Sequence, residues 1–180
     1  MLTQPALQRP VLPKQNRLAI FIDAANLFYA AQQLGSHIDY RKLKACLTAN
    51  FFLVGAWYYT GVDSTQPAQR SFLSQLEYIG YKVIRKEVVK RADGSRKANL
   101  DVKIALDMTK FVDSYDSAIL VSGDGDLEWA VEEVQNGGKT VEVVGLRSMT
   151  SYELRDEAFR YIDLFDIKSK ICSYTRPYAA

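Results

Sequence analysis

Ser117-Ala-Ile-Leu-Val-Ser-Gly-Asp-Gly-Asp126 is the stretch from which the fold is read. Ala118 to Val121 is a short apolar run, the pattern of a strand buried on both faces. The run stops at Ser122-Gly123, and two aspartates follow, separated by Gly125. Glycine lets the backbone turn between them without a Cβ penalty. From Leu127 to Val131 apolar residues return at helical period. The stretch therefore reads as strand, acidic turn, helix. Open α/β sheets bind their ligands at the carboxyl ends of buried strands. Two carboxylates this close repel unless a proton or a cation lies between them. Taken alone, the motif also admits a plainer reading, with Asp126 as a helix N-cap and Asp124 as a turn residue.

A second acidic strand end lies upstream. Arg17 to Ile22 is an apolar strand that stops at Asp23, and Ala24 to Leu34 is a helix ended by Gly35. Asp39 can cap a helix from Tyr40 to Leu47, and Phe51 to Thr60, rich in aromatic and branched residues, is the next strand. Pro67 opens a helix that Gly80 closes, and Tyr81 to Ile84 is the third strand. Asn99 to Phe111 is a helix with an apolar stripe of Leu100, Ile104, Ala105, Met108 and Phe111. After strand four, a helix from Asp126 ends at Gly137-Gly138, and Thr140 to Leu146 is strand five. Ser151 to Phe159 reads as a short helix and Tyr161 to Phe165 as a brief strand or extended edge. Residues 1–16, with Pro5, Pro10 and Pro13, read as a flexible leader. Residues 17–167 form the domain, and 168–180 read as a loose tail.

Strands alternating with helices predict an α/β three-layer fold. Its central sheet is expected to be mostly parallel and five-stranded, in the order 3-2-1-4-5, with helices on both faces. The first and fourth strands are then neighbours at the topological switch point. Asp23 and Asp124 come side by side at one sheet edge. The helix entering strand four begins at that same edge and brings Asp101, with Asp126 as a fourth carboxylate.

The bulk numbers narrow the chemistry. A chain of 180 residues with 48% hydrophobic residues suits one domain with a proper core. Net charge is only +2, so a nucleic-acid signal must come from local clustering. Cys46 and Cys172 form no CxxC pair, which suits a reducing compartment and offers no zinc site. His37 is the only histidine and lies in a polar turn, which argues against a Ser-His-Asp triad. No apolar run reaches the ~20 residues of a membrane span, and no secretory signal is evident. A cytoplasmic protein with no membrane partner is expected.

Carboxylates without histidine or thiolate suit a hard cation, Mg²⁺ or Mn²⁺. From Lys82 to Lys103 eight basic residues stand against three acidic ones, a net +5 in a chain of net +2. Lys90, Arg91, Arg96, Lys97 and Lys103 are the candidate nucleic-acid contacts there, around an Asp93-Gly94 turn that reads as a hairpin or mobile loop. The plainer reading is a solvated charged loop.

Three segments carry a resemblance to a known family. Phe21-Ile-Asp-Ala-Ala-Asn26, Asn99-Leu-Asp-Val-Lys-Ile-Ala-Leu-Asp-Met108 and Leu120-Val-Ser-Gly-Asp-Gly-Asp-Leu127 resemble the NYN domain of the PIN-like nucleases, and within it the LabA-like branch. The resemblance spans roughly residues 17–166. It implies a PIN-like α/β fold and a metal-dependent ribonuclease. Asp23 and Asp124 would bind metal, Asp101 and Asp126 would complete the acidic cluster, and Asn26 and Ser122 would position it. RNA, single-stranded or structured, is the implied partner, and a homodimer stays open. LabA-like proteins also imply a second outcome, a regulator of gene expression, such as circadian output, that keeps the pocket without turning over. A phosphatase or nucleotidase acting on small phosphates would fit the acids but leave the basic arm unexplained.

Some residues keep two readings. Asp126 is open between ligand, base and N-cap. Asp107 lies six residues past Asp101, about 240° round a helix, and is read as a surface residue facing elsewhere. Trp129, Tyr58 and Tyr59 either stack bases or pack in the core or at a dimer surface.

Overall fold

The computed structural model describes residues 16–63, 65–90, 96–97 and 100–173. In chain order the elements are β1 (Arg17–Asp23), α1 (Ala24–Gln33), β2 (His37–Ile38), α2 (Tyr40–Thr48), β3 (Phe52–Val62), α3 (Pro67–Tyr78), β4 (Lys82–Glu87), β5 (Val89–Lys90) and β6 (Arg96–Lys97). They continue with α4 (Asp101–Lys110), β7 (Ser117–Val121), α5 (Glu128–Asn136), β8 (Thr140–Gly145), α6 (Tyr152–Glu157), β9 (Arg160–Asp163), α7 (Leu164–Ile171) and β10 (Cys172–Ser173).

Six strands form the main sheet in the order β4-β3-β1-β7-β8-β9. All five pairings are parallel. The expected 3-2-1-4-5 order is present, and the difference is a sixth strand. β9 adds to the edge because Arg160–Asp163 pairs along Glu142–Gly145.

β1 shows why the sheet is covered on both sides. Leu18, Ile20 and Ile22 pack into one core with Leu27, Leu43, Leu73, Leu164 and Ile171. Ala19 and Phe21 point to the other face and pack with Ile104, Met108, Val131 and Leu154. Alternate side chains of one strand thus feed two cores, which is why the run is apolar throughout rather than alternating. Helices α1, α2, α3 and α7 cover the first face, and α4, α5 and α6 the second.

The caps follow the chemistry of their residues. Asp39 accepts from the Arg41 and Lys42 amides at the start of α2. Pro67 stands in the first turn of α3, and Gly80 turns the chain after it with φ of 90°.

Both chain ends need correction. Asn16 belongs to the fold rather than to a leader: its carbonyl accepts from the Phe52 amide and its side chain from Ser117 Oγ. Residues 1–15 lie outside the described residues. The tail expected from 168 is instead part of α7 and of β10, which pairs antiparallel with β2 through Cys172 and Ile38. Ile171 and Cys172 are buried, so this segment closes the first core. Residues 174–180 lie outside the described residues. Among the described residues no helix is long and apolar enough to cross a membrane.

Candidate active site

The site begins with two buried strands that run side by side. Ile22 of β1 faces Val121 of β7 in parallel register, so the next residues of each chain, Asp23 and Ser122, emerge together. Asp23 caps α1, with Oδ1 accepting from the Ala25 and Asn26 amides at 3.0 and 3.1 Å. Ser122, 1% exposed, donates Oγ–H to Asp23 Oδ2 at 3.2 Å and accepts from the Asp124 amide at 3.1 Å. One hydroxyl therefore ties the two strand ends together. Asp124 caps the turn that follows, accepting from the Asp126 amide at 3.0 Å. A short 3₁₀ turn, Gly125–Leu127, intervenes before α5, so Asp124 rather than Asp126 is the capping residue.

Gly123 makes the turn possible by close approach. A Cβ there would sit 2.3 Å from the Met149 carbonyl oxygen. The Ser151 amide donates to the Gly123 carbonyl at 3.0 Å, which locks the acidic turn against the segment before α6.

The third element is α4. It enters β7 from the opposite direction, so its first residue, Asp101, stands at the same edge. Carboxylate oxygens of Asp101, Asp124 and Asp126 lie within 4.8 Å of one another. Asp101 and Asp124 are half-buried, and Asp126 is exposed. Asp23 is outside that group of three but lines the same cleft, whose volume is about 720 Å³ and whose wall also includes Asn26. Burial raises the Asp23 pKa above the ordinary carboxylate value. The amides of Asn26 and Ala25 and the Ser122 hydroxyl oppose that rise, and the nearby Asp124 charge adds to it.

The donor set fits a hard divalent cation. Three carboxylates converge, and the residues described along the cleft include no histidine or cysteine.

The remaining candidates divide. β5 and β6 pair antiparallel, with Lys90 opposite Arg96 and Val89 opposite Lys97, which realises the hairpin alternative. Arg91 lies outside the described residues. Val88 and Leu100, on either side of this excursion, both line the cleft. Lys103 instead reaches back along α4 to Asp107, with Nζ 2.6 Å from Oδ1. Arg85 pairs with Glu77 and Lys82 sits over the Trp57 ring, so part of the +5 segment is engaged within the fold.

Asp107 corrects the surface reading. It is 2% exposed and accepts from Tyr59 Oη at 3.0 Å as well as from Lys103. It lies three residues from buried Ile104 and next to buried Met108, on the inner stripe of α4. Tyr58 and Tyr59 are buried in the core while lining the cleft. Trp129 is 72% exposed, on the outside of α5. Sequence reading missed Phe28, Tyr29 and Met149, which line the cleft without any acidic or basic signal to mark them.

A parallel α/β sheet with a carboxylate-lined cleft at its switch point is the arrangement expected of a PIN-like domain. The NYN domain profile matches residues 17–166, and the chain belongs to the NYN domain family. It is 40% identical over 177 residues to the "Low amplitude and bright protein LabA" of Synechococcus elongatus, covering 91% of this chain and 92% of that one. It also resembles the crystal structure of a protein of unknown function, VPA0982, from Vibrio parahaemolyticus. That likeness has a TM-score of 0.76 and 33% identity, over 83% of this chain and 93% of that one.

Proposed function

We propose that this chain is a divalent-metal-dependent ribonuclease that hydrolyses RNA phosphodiester bonds in the acidic cleft. One observation carries the reading: three carboxylates from two separate elements come within 4.8 Å of one another at the sheet's switch point. Asp101, Asp124 and Asp126 would hold Mg²⁺ or Mn²⁺, with Asp23 completing the acidic wall. A hard divalent cation bound there supplies Lewis-acid stabilisation of a phosphoryl oxygen and makes water a better nucleophile. Ser122 orients Asp23 through its hydrogen bond and holds the Asp124 backbone in place. Asn26, on the first turn of α1, offers an amide to the substrate or to a carboxylate. Val88 and Leu100, the described residues that flank the basic arm, line the cleft, which supports backbone contacts from Lys90, Arg91, Arg96 and Lys97. Lys103 is bound to Asp107, which competes with a phosphate for its ammonium group. Two free thiols, Cys46 and Cys172, suit a reducing cytoplasm.

The test is cleavage of labelled single-stranded RNA by the purified chain in Mn²⁺ and in EDTA. Asp23→Asn and Asp124→Asn should each lower Mn²⁺-dependent cleavage by about 100-fold or more while leaving RNA binding largely intact. Cleavage that persists in both variants rules out this site. The likeness to LabA across nearly the whole chain favours a second reading, a regulator that binds RNA or a protein through the same pocket without turnover. RNA binding with no cleavage by wild type in any divalent metal selects that second reading.

A further inference from the structure

The outer side of α1 is aromatic where an amphipathic helix is normally polar. Ala24, Leu27 and Ala30 face the core. The opposite stripe, Ala25, Phe28, Tyr29 and Gln32, is exposed, at the i, i+3, i+4, i+7 spacing of one helix face. Phe28 is 53% exposed and Tyr29 58%, and their rings meet edge to face with centroids 5.5 Å apart. Both line the cleft that holds Asp101, Asp124 and Asp126. Phe28 also fronts an adjoining groove of about 690 Å³ walled by Tyr40, Tyr58 and Phe72. An aromatic wall therefore runs from the acidic cleft outward along α1. Large apolar side chains left in water at a cleft mouth forgo burial energy unless a ligand covers them.

We infer that Phe28 and Tyr29 form a nucleobase platform that selects an unpaired RNA strand, an inference that rests on the ribonuclease reading of this cleft. Asp23 caps the helix, and Phe28 follows five residues later, about 7.5 Å along its axis. Platform and acidic wall thus ride on one rigid element, within a nucleotide's reach of each other. The carboxylates repel a phosphate backbone on this side of the cleft, away from the basic arm, so a contact beside them gains from being insensitive to charge. Stacking on an exposed ring meets this need, because every base has a π-face, and it is typically worth about 5- to 150-fold in affinity per base. A base inside a duplex has both faces already stacked, and the A-form major groove is too deep and narrow for side chains to read. The platform therefore discriminates by strandedness rather than by sequence.

The experiment is fluorescence anisotropy of a labelled oligouridylate, single-stranded or annealed to its complement, with the full chain in EDTA. The proteins are wild type, Phe28→Ala/Tyr29→Ala, and the ring-preserving Phe28→Tyr/Tyr29→Phe, each checked by thermal melt. The alanine pair should bind the single strand at least about 10-fold more weakly than wild type. The ring-preserving pair should bind like wild type, and the duplex should bind all three alike. An oligomer carrying abasic sites should bind wild type as weakly as the alanine pair binds the intact strand. Unchanged single-strand affinity in the alanine pair, an equal loss for duplex, or no single-strand binding by wild type overturns the platform. A shift from dimer to monomer in the alanine pair, with RNA affinity unchanged, also overturns it and makes the stripe a dimer surface. Intact Mn²⁺-dependent cleavage beside a failed platform leaves the ribonuclease reading standing. A working platform without any cleavage removes only that reading.

Discussion

Asp107 shows how a charged residue can be structural beside a functional one of the same type. Its two oxygens take Tyr59 Oη and Lys103 Nζ, so the buried carboxylate is both hydrogen-bonded and charge-paired. Burial first, and then the Asp107 carboxylate, push the Tyr59 phenol well above its ordinary pKa, so it stays a hydrogen-bond donor. The pair joins α4 to β3, six residues from Asp101 on the same helix. Asp107→Ala leaves a buried hydroxyl without its acceptor and should destabilise the fold by about 1–3 kcal/mol. Asp107→Asn keeps an acceptor for Tyr59 and should cost less. Urea unfolding midpoints of the two variants check the ordering, and an alanine variant as stable as wild type would show that this hydrogen bond does not hold α4.

At the scale of elements, the antiparallel pair β5–β6 is set apart from the main sheet. It is a two-stranded excursion whose flanks, Val88 and Leu100, reach the cleft. A two-stranded hairpin is by itself only marginally stable in water. Lys90, Arg91, Arg96 and Lys97 give it a charge that suits a phosphate backbone. Reversing all four to glutamate should weaken RNA binding across sequences. The slope of log affinity against log salt should flatten by about 0.7 for each phosphate that the ribbon no longer neutralises, and so by up to about 3. An unchanged slope across a salt titration would make the ribbon a solvated loop with no part in binding.

Across the whole molecule, the sheet edge brings carboxylates together at a cost. For charges ~5 Å apart at an effective dielectric of about 20, a close pair repels by about 3 kcal/mol, less once solvent screens exposed Asp126. Asp124→Asn removes one charge and keeps an oxygen to accept from the Asp126 amide. It should therefore melt at a higher temperature than wild type in EDTA. A metal that binds only the folded cluster stabilises by mass action. In millimolar Mn²⁺ wild type should gain stability and the variant little, so the order of melting temperatures narrows or reverses. If the variant is less stable in EDTA and both respond equally to Mn²⁺, Asp124 is a cap residue only.

The sheet order was expected from the alternation of strands and helices, and the central place of β1 and β7 was legible because both are uninterrupted apolar runs, the pattern of a doubly covered parallel strand. Asp23, Asp101, Asp124 and Asp126 could be placed at one edge from that order alone, since topology determines which strand ends meet. The edge strand β9 was legible only as a brief strand or extended edge without a place in the sheet, and the segment from Lys168 to Ser173 was not legible. Their short polar-apolar mixture carries no period, and their place depends on partners, β8 for the first and β2 for the second. Asp107 needed the tertiary fold for the same reason: helical angle puts it away from Asp101, but its inner position is made tolerable by Tyr59, on a strand 48 residues away in sequence, together with Lys103. The carboxylate geometry was likewise a tertiary outcome. Strand order brings four acids to one edge, whereas the hydroxyl of Ser122 and the tight passage of Gly123 against Met149 decide that Asp124 and Asp126 close on Asp101 while Asp23 is held beside them.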